Sequence, residues 1–557
     1  MATGDVQPTR VSAVVDVRAA EAASAPPPPA EVRQAADGVP PGGGEPDVPR
    51  TRWLWRIVGP VAAVAAYVGM PAHELLTAEA RTMAAVVIVM AIWWMTEAFP
   101  LPVTSLVPIV ALPLLGILAI EDATSPYASP IVFLFMGGFV IALAMQRQGL
   151  HLRVALHTVR IVGTQPRRMV LGVMVATAGL SMWVSNTAAT LMMLPIGLSV
   201  LGLTARGGSE PATGTGTTGP DTPGGTAAAV ITDPAQRRFA ACMVLAIAYS
   251  ATIGGLATLI GSPPTLVMAG FVQDALGITI GFAQWMALGV PLAVVFLAIA
   301  WLFLTRVAFR AELPPVAQGS QVIRGKLNEL GPMATGEWLV LVVFLATAAL
   351  WVGHGPLSGV DALVDAIPLV ALLSDEAIAI GAAILLLALP IPGRGGQPAL
   401  PWNAAQSGLP WGVLLLFGGG LSLARGVRET GLDSYIGGLM SGLGTLPLVL
   451  LVAATALIVL LLTELTSNTA TAATFVPVLA GVAVAAGVDP LSLLVPAALA
   501  ATCSFMLPVG TPPNAIVYAS GHVTIGQMAR TGMVLNLVGV GVVTAGVMLL
   551  GHVVTGS

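Results

Sequence analysis

The tripeptide Ser-Asn-Thr occurs twice inside apolar sequence, at Ser185, Asn186, Thr187 and at Ser467, Asn468, Thr469, 282 residues apart. Each copy has a partner motif downstream: Gly261-Ser262-Pro263-Pro264-Thr265 and Gly510-Thr511-Pro512-Pro513-Asn514. Paired prolines remove two backbone donors and push the preceding residue out of helical geometry, so each partner motif breaks its helix and frees carbonyls and amides. Hydroxyls, an asparagine amide oxygen and freed carbonyls make a hard-oxygen site without fixed charge. That suits Na⁺ better than zinc or copper, which prefer nitrogen and sulfur. Ser181 and Thr463 stand four residues before each tripeptide, on the same helical face. Helices beginning at Thr187 and Thr469 would offer free N–H groups and partial positive charge to carboxylate or sulfate oxygens. The asparagines carry donors and an acceptor together, so they can bridge ion and anion.

This is binding chemistry. No nucleophile–base constellation and no Walker loop accompanies it, so neither hydrolysis nor ATP drive is expected and the chain is not read as an enzyme. His73, His151, His157, His354, His522 and His552 never cluster at metal-ligand spacing. Cys242 and Cys503 fall in apolar segments, as small core residues do.

The elements that must position these groups are membrane helices. Of 557 residues, 56% are hydrophobic and only 9% charged, where soluble domains average about 25% charged. Mean hydropathy is +0.88. Long apolar runs fit helices crossing a hydrocarbon core of about 30 Å, and their length excludes a transmembrane β-barrel. The expected architecture is therefore all-α and polytopic. Eleven spans are read, near 54–70, 80–99, 101–119, 128–147, 237–275, 284–305, 336–353, 374–392, 411–429, 490–520 and 527–552. Two further apolar stretches, 168–203 and 445–487, carry the tripeptides at their centres. Each is too long for one crossing and too short for two with a loop, which predicts a re-entrant hairpin. Non-helical backbone at that depth is tolerated only where protein or a water-filled cavity surrounds it.

Two more landmarks repeat at the 282-residue offset: Phe135 with Gly137 and Gly138 matches Phe417 with Gly419 and Gly420, and Gly149-Leu150 matches Gly431-Leu432. The glycine pairs read as close helix packing through small residues. Two related halves are implied, 51–335 (the first span plus the first repeat) and 336–557. The halves differ by an insertion, 204–236, rich in Gly, Thr and Pro and read as a flexible linker. Residues 1–50, rich in Ala, Pro and Gly, are expected to be a disordered cytoplasmic tail.

Charge placement sets the orientation. With the N-terminus inside, the cytoplasmic loops collect Arg153, Arg160, Arg167, Arg168, Arg237, Arg238, Arg306, Arg324, Lys326 and Arg394, among others. The opposite side receives Arg81, Arg425 and Arg428. This follows the positive-inside rule and places the two hairpins in opposite orientations, an inverted repeat with the C-terminus outside. Polar groups at membrane depth in matching places of both halves point to a transporter's binding site. Trp93, Trp94, Trp402 and Trp411 are read as interface anchors. Glu97 is read as a solvated or helix-pairing group, and Glu464 either tunes the second ion site or pairs outside it.

On these motifs, together with Trp94-Met95-Thr96-Glu97-Ala98-Phe99-Pro100 and Phe505-Met506-Leu507-Pro508-Val509-Gly510, residues 52–552 resemble the divalent anion:sodium symporter family. The resemblance implies secondary active import of a divalent organic anion, a C4-dicarboxylate such as succinate or malate, or citrate, with sulfate or sodium-independent exchange as alternatives. It implies one Na⁺ at Ser181, Ser185, Asn186 and the Gly261 carbonyl, and a second at Thr463, Ser467, Asn468 and the Gly510 carbonyl. Substrate would touch Asn186, Thr187, Asn468 and Thr469, helped by Ser262, Pro263, Thr511 and Pro512. A homodimer in the inner membrane and an elevator-type movement are also implied, with no nucleic-acid partner. The chain departs from the family pattern at Thr265, where relatives commonly carry asparagine, as the second half does at Asn514.

Overall fold

The computed structural model describes residues 50–70, 76–163, 165–206, 234–309, 319–358, 365, 373–439 and 446–555. The tail before residue 50 and most of the insertion, 207–233, lie outside the described residues. Residues Leu54–Ser557 form one compact unit. Helices make up its regular structure, with an isolated β-bridge between Pro390 and Pro398. Six helices are long and apolar enough to cross a membrane among the described residues, or seven if the bent pair Trp402–Gly408 and Trp411–Glu429 is one span. Shorter apolar helices include Leu101–Leu114, Leu448–Thr463 and Leu491–Thr502, which end at proline or polar turns.

The first tripeptide segment folds as Pro166–Ser181, a short turn, then Asn186–Arg206, and the second as Leu448–Thr463, a turn, then Asn468–Ala485. Each returning helix begins at the asparagine, one residue before the threonine expected to open it. Each Pro-Pro motif breaks its span as the missing donors require. The first broken span is Pro234–Gly254 and Pro263–Leu276, and the second is Leu491–Thr502 and Pro512–Ala519. Span 101–119 is also interrupted, into Leu101–Thr104 and Val107–Leu114.

The hairpins pack against the broken spans, so the two kinds of irregular backbone face each other. The core is formed by the broken spans themselves: every residue from Phe239 to Gly254 is buried, as is every residue from Leu493 to Thr502. The glycine landmarks do pack closely. A Cβ on Gly137 would lie 2.6 Å from the Ala379 backbone, and one on Gly419 would strike Ser105. The matched phenylalanines meet each other, Phe135 edge-on to Phe417 at 5.0 Å between ring centres. Trp94 corrects its expectation as an interface anchor: it is fully buried and donates from Nε1 to Ser105 Oγ at 3.2 Å. Trp402 and Trp411 are exposed, as anchors are.

Candidate binding site

In each half a hydroxyl one turn before the hairpin turn reaches the asparagine that starts the returning helix. Ser181 Oγ lies 2.6 Å from Asn186 Oδ1 and 2.7 Å from the Ala251 carbonyl oxygen. Thr463 Oγ1 lies 2.7 Å from Asn468 Oδ1 and 2.9 Å from the Ala501 carbonyl oxygen. Each cluster therefore brings three oxygens together around a single hydroxyl proton, leaving an excess of lone pairs aimed inward. Ser181 and Thr463 are fully buried. Buried lone pairs without donors are costly, and a small hard cation satisfies them.

The freed carbonyls join these clusters. A Cβ placed on Gly255 would lie 2.6 Å from Asn186 Oδ1 and 2.9 Å from the Gly261 carbonyl oxygen, so both oxygens converge on one small space kept open by a glycine. On the other side, Gly510 sits against Glu464 and Ser504, with a Cβ there 3.1 Å from Glu464 Oε2. Ser504 Oγ, a hydroxyl, and the acceptor Asn514 Oδ1 on this second loop are buried and find no hydrogen-bond partner among the described residues.

Glu464 solves a different problem. Its carboxylate is 4% exposed and accepts from the backbone N–H groups of Phe505, Met506 and Leu507 at 2.8–3.2 Å, and from Asn536 Nδ2 at 2.7 Å. It thereby satisfies the amides that the broken span releases. The carboxylate thus pairs with the loop beside the second oxygen cluster. At the matched place in the first half stands Met182, whose carbonyl accepts from Thr258 Oγ1, so a neutral contact replaces a charged one.

Both clusters border one cavity of about 1090 Å³. Ser185, Asn186, Gly261, Ser467, Asn468 and Gly510 line it, with Ser181 and Thr463 behind them. Thr187, Ser262, Pro263, Thr469, Thr511 and Pro512 line it too. The structure thus places all the residues expected to touch ion or substrate at, or just behind, the wall of one cavity. Phe135, read as a packing residue, also lines this wall, and Glu97, exposed and in the left-handed region at φ 47°, sits at the rim. Among the described residues no arginine, lysine or histidine lines the cavity, so an anion there meets amides, hydroxyls and helix N-termini.

Three contributors carry no mark in the sequence motifs. Gly255 keeps the first cluster open, Asn536 completes the Glu464 network, and Thr502 lines the cavity and touches Ser262. The Gly254-Gly255 doublet was the one available signal. Asn536 and Thr502 are polar residues in apolar helices, recognisable only once their partners are in place.

The sequence matches the family described as the sodium:sulfate symporter transmembrane region over residues 51–555. It is 42% identical to the sodium-dependent dicarboxylate transporter SdcS of Staphylococcus saprophyticus, over 82% of this chain and 84% of that protein. It is likewise 42% identical to SdcS of Staphylococcus aureus strain USA300, over 82% of each chain. Among solved structures, the fold resembles the YdaH transporter of Alcanivorax borkumensis, with TM-score 0.54, 13% identity, and coverage of 91% of this chain and 98% of that one. It also resembles MtrF of Neisseria gonorrhoeae, with TM-score 0.51, 13% identity, and coverage of 91% and 95%.

Proposed function

Since the chain belongs to the sodium:sulfate symporter family, we propose that it is a membrane transporter that imports a C4-dicarboxylate together with Na⁺. The observation that carries this reading is the doubled oxygen cluster. Ser181 with Asn186, and Thr463 with Asn468, each present more lone pairs than protons on the wall of a single cavity free of basic side chains. With no arginine, lysine or histidine lining the cavity among the described residues, cations entering with a dianion would offset its charge there.

In this reading one Na⁺ sits among Ser181, Ser185, Asn186 and the Gly261 carbonyl, and the other among Thr463, Ser467, Asn468 and the Gly510 carbonyl. The substrate carboxylates meet Asn186, Thr187, Asn468 and Thr469 and the starts of the helices at Pro263 and Pro512. The asparagines touch ion and substrate at once, which couples the two. Two halves, 51–335 and 336–557, form the inverted repeat, and the chain works as a homodimer in the cell's inner membrane with its N-terminus cytoplasmic and its C-terminus outside. Thr96, Glu97, Gln146 and Gly408 also line the cavity, and in the orientation read from the arginines they would open it to the cytoplasmic side, an inward-facing state. Elevator-type displacement of the hairpins and broken spans against the remaining helices would expose the site to the other side.

Uptake of labelled succinate into proteoliposomes, with and without an inward sodium gradient, tests this. The gradient is expected to drive accumulation. Equal uptake in both, stimulated instead by dicarboxylate loaded inside, would make the protein an exchanger.

A further inference from the structure

The two partner motifs use their hydroxyls differently. Thr511 Oγ1 accepts from Asn514 N and caps its own half-helix, and the Asn514 side chain donates to the Ser504 and Leu507 carbonyls of its own loop. In the first half Ser262 makes no such cap. Its Oγ lies 3.2 Å from Thr265 Oγ1 and 2.7 Å from Thr502 Oγ1, a residue 240 positions away at the end of the other half's broken span. Thr502 Oγ1 in turn donates to the Ala498 carbonyl at 3.2 Å. All three hydroxyls are at most 1% exposed. The three hydroxyls thus form a chain that crosses between the halves, with Thr265, which stands where the second motif has Asn514, at its outer end.

This chain ends beside both ion clusters. Ser262 shares a peptide bond with Gly261, whose carbonyl faces the first cluster, and Thr502 shares one with Ala501, whose carbonyl accepts from Thr463 in the second. Fixing the Gly261 carbonyl fixes the Ser262 peptide plane. The short hydrogen bond to Thr502 then holds the Ala501 carbonyl and with it the Thr463 hydroxyl. The geometry points to Thr502 as the positioning residue that couples the two cation sites, so that filling one raises the affinity of the other. The inference rests on the two-cation reading above and adds a route between the sites. Coupling between sites is a free energy carried by such contiguous contacts and is reciprocal.

The test is sodium dependence of succinate uptake by the full chain in proteoliposomes, comparing wild type with Thr502→Val, which removes the hydroxyl at nearly constant volume, and with Thr502→Ser, which restores it. Wild type is expected to give a Hill coefficient approaching 2, the number of sites. Thr502→Val is expected to bring it towards 1 and to raise the half-saturating sodium concentration at least about fivefold, the lower end of typical coupling. Thr502→Ser is expected to recover the steep curve. A structural defect alone would lower the maximal rate without flattening the sodium curve. A Thr502→Val protein with the wild-type Hill coefficient overturns the coupling and leaves the two-site reading standing, whereas a wild type insensitive to sodium overturns both. If Thr502→Val yields no folded protein, Ser262→Ala removes the other partner of the same hydrogen bond, and an undiminished Hill coefficient there is equally fatal to the inference.

Discussion

Glu464 and Asn536, 72 residues apart, meet through a 2.7 Å hydrogen bond from Nδ2 to Oε1 inside the apolar core. The same carboxylate takes the three released amides of Phe505, Met506 and Leu507, so one charge holds the unwound stretch in place. Replacing it with alanine strands these donors, each costing about 1–3 kcal/mol when buried and unpaired. Glu464→Ala is expected to lower the unfolding temperature in detergent more than Glu464→Gln, which keeps an acceptor oxygen. Asn536→Ala, which leaves the three amides paired, should have the smallest effect. A thermal-shift series of the three checks the order.

Gly255 gives the sharpest local prediction. A single methyl there would sit 2.6 Å from Asn186 Oδ1 and 2.9 Å from the Gly261 oxygen, in the space assigned to the first cation. Gly255→Ala is expected to abolish sodium-driven uptake. Gly381→Ala, where an added Cβ meets nothing within 4 Å, should be tolerated in the same assay.

Charge balance makes a third prediction. Moving a dianion inward against about 100 mV, negative inside, costs about 4.6 kcal/mol, and two Na⁺ moving with it regain the same amount. Transport with two cations is then electrically neutral. Uptake into vesicles clamped with potassium and valinomycin is expected to differ little between zero and inside-negative potential. A marked acceleration at negative potential would indicate a further cation.

Away from the site, Arg153 bonds both carboxylate oxygens of Glu337 at 3.0 Å and also reaches the Gly331 carbonyl at 2.9 Å, while Glu337 accepts from Ala334 N. The two side chains are 12% and 6% exposed. Breaking such a pair leaves an uncompensated charge, at a cost of about 3–5 kcal/mol. Glu337→Ala should therefore lower thermal stability substantially while leaving the half-saturating sodium concentration unchanged in the protein that remains folded.

The chemistry was legible in the sequence where residue type alone forces geometry. Pro263-Pro264 and Pro512-Pro513 cannot continue a helix, so both breaks fall where the motifs stand. Asn186 and Asn468 could be matched with Ser181 and Thr463 from the four-residue spacing before each tripeptide. Groups defined by tertiary approach were not legible. Trp94 looks like an interface residue by type and lies in the core because Ser105 receives its N–H. Glu464 could have served the ion or the loop, and only the position of residues 505–507 decides between them. Thr265 stands where the second motif has Asn514, and it contacts Ser262, whose partner Thr502 no local pattern marks.

In the proposed mechanism both asparagine-bearing turns hold a cation and the anion jointly. Single replacements Asn186→Ala and Asn468→Ala, assayed for gradient-driven succinate uptake in proteoliposomes after folded protein is verified by thermal shift, test it most directly. Each replacement is expected to eliminate uptake, because neither half can bind the dianion without the other. Wild-type sodium-driven flux in either variant would contradict the account.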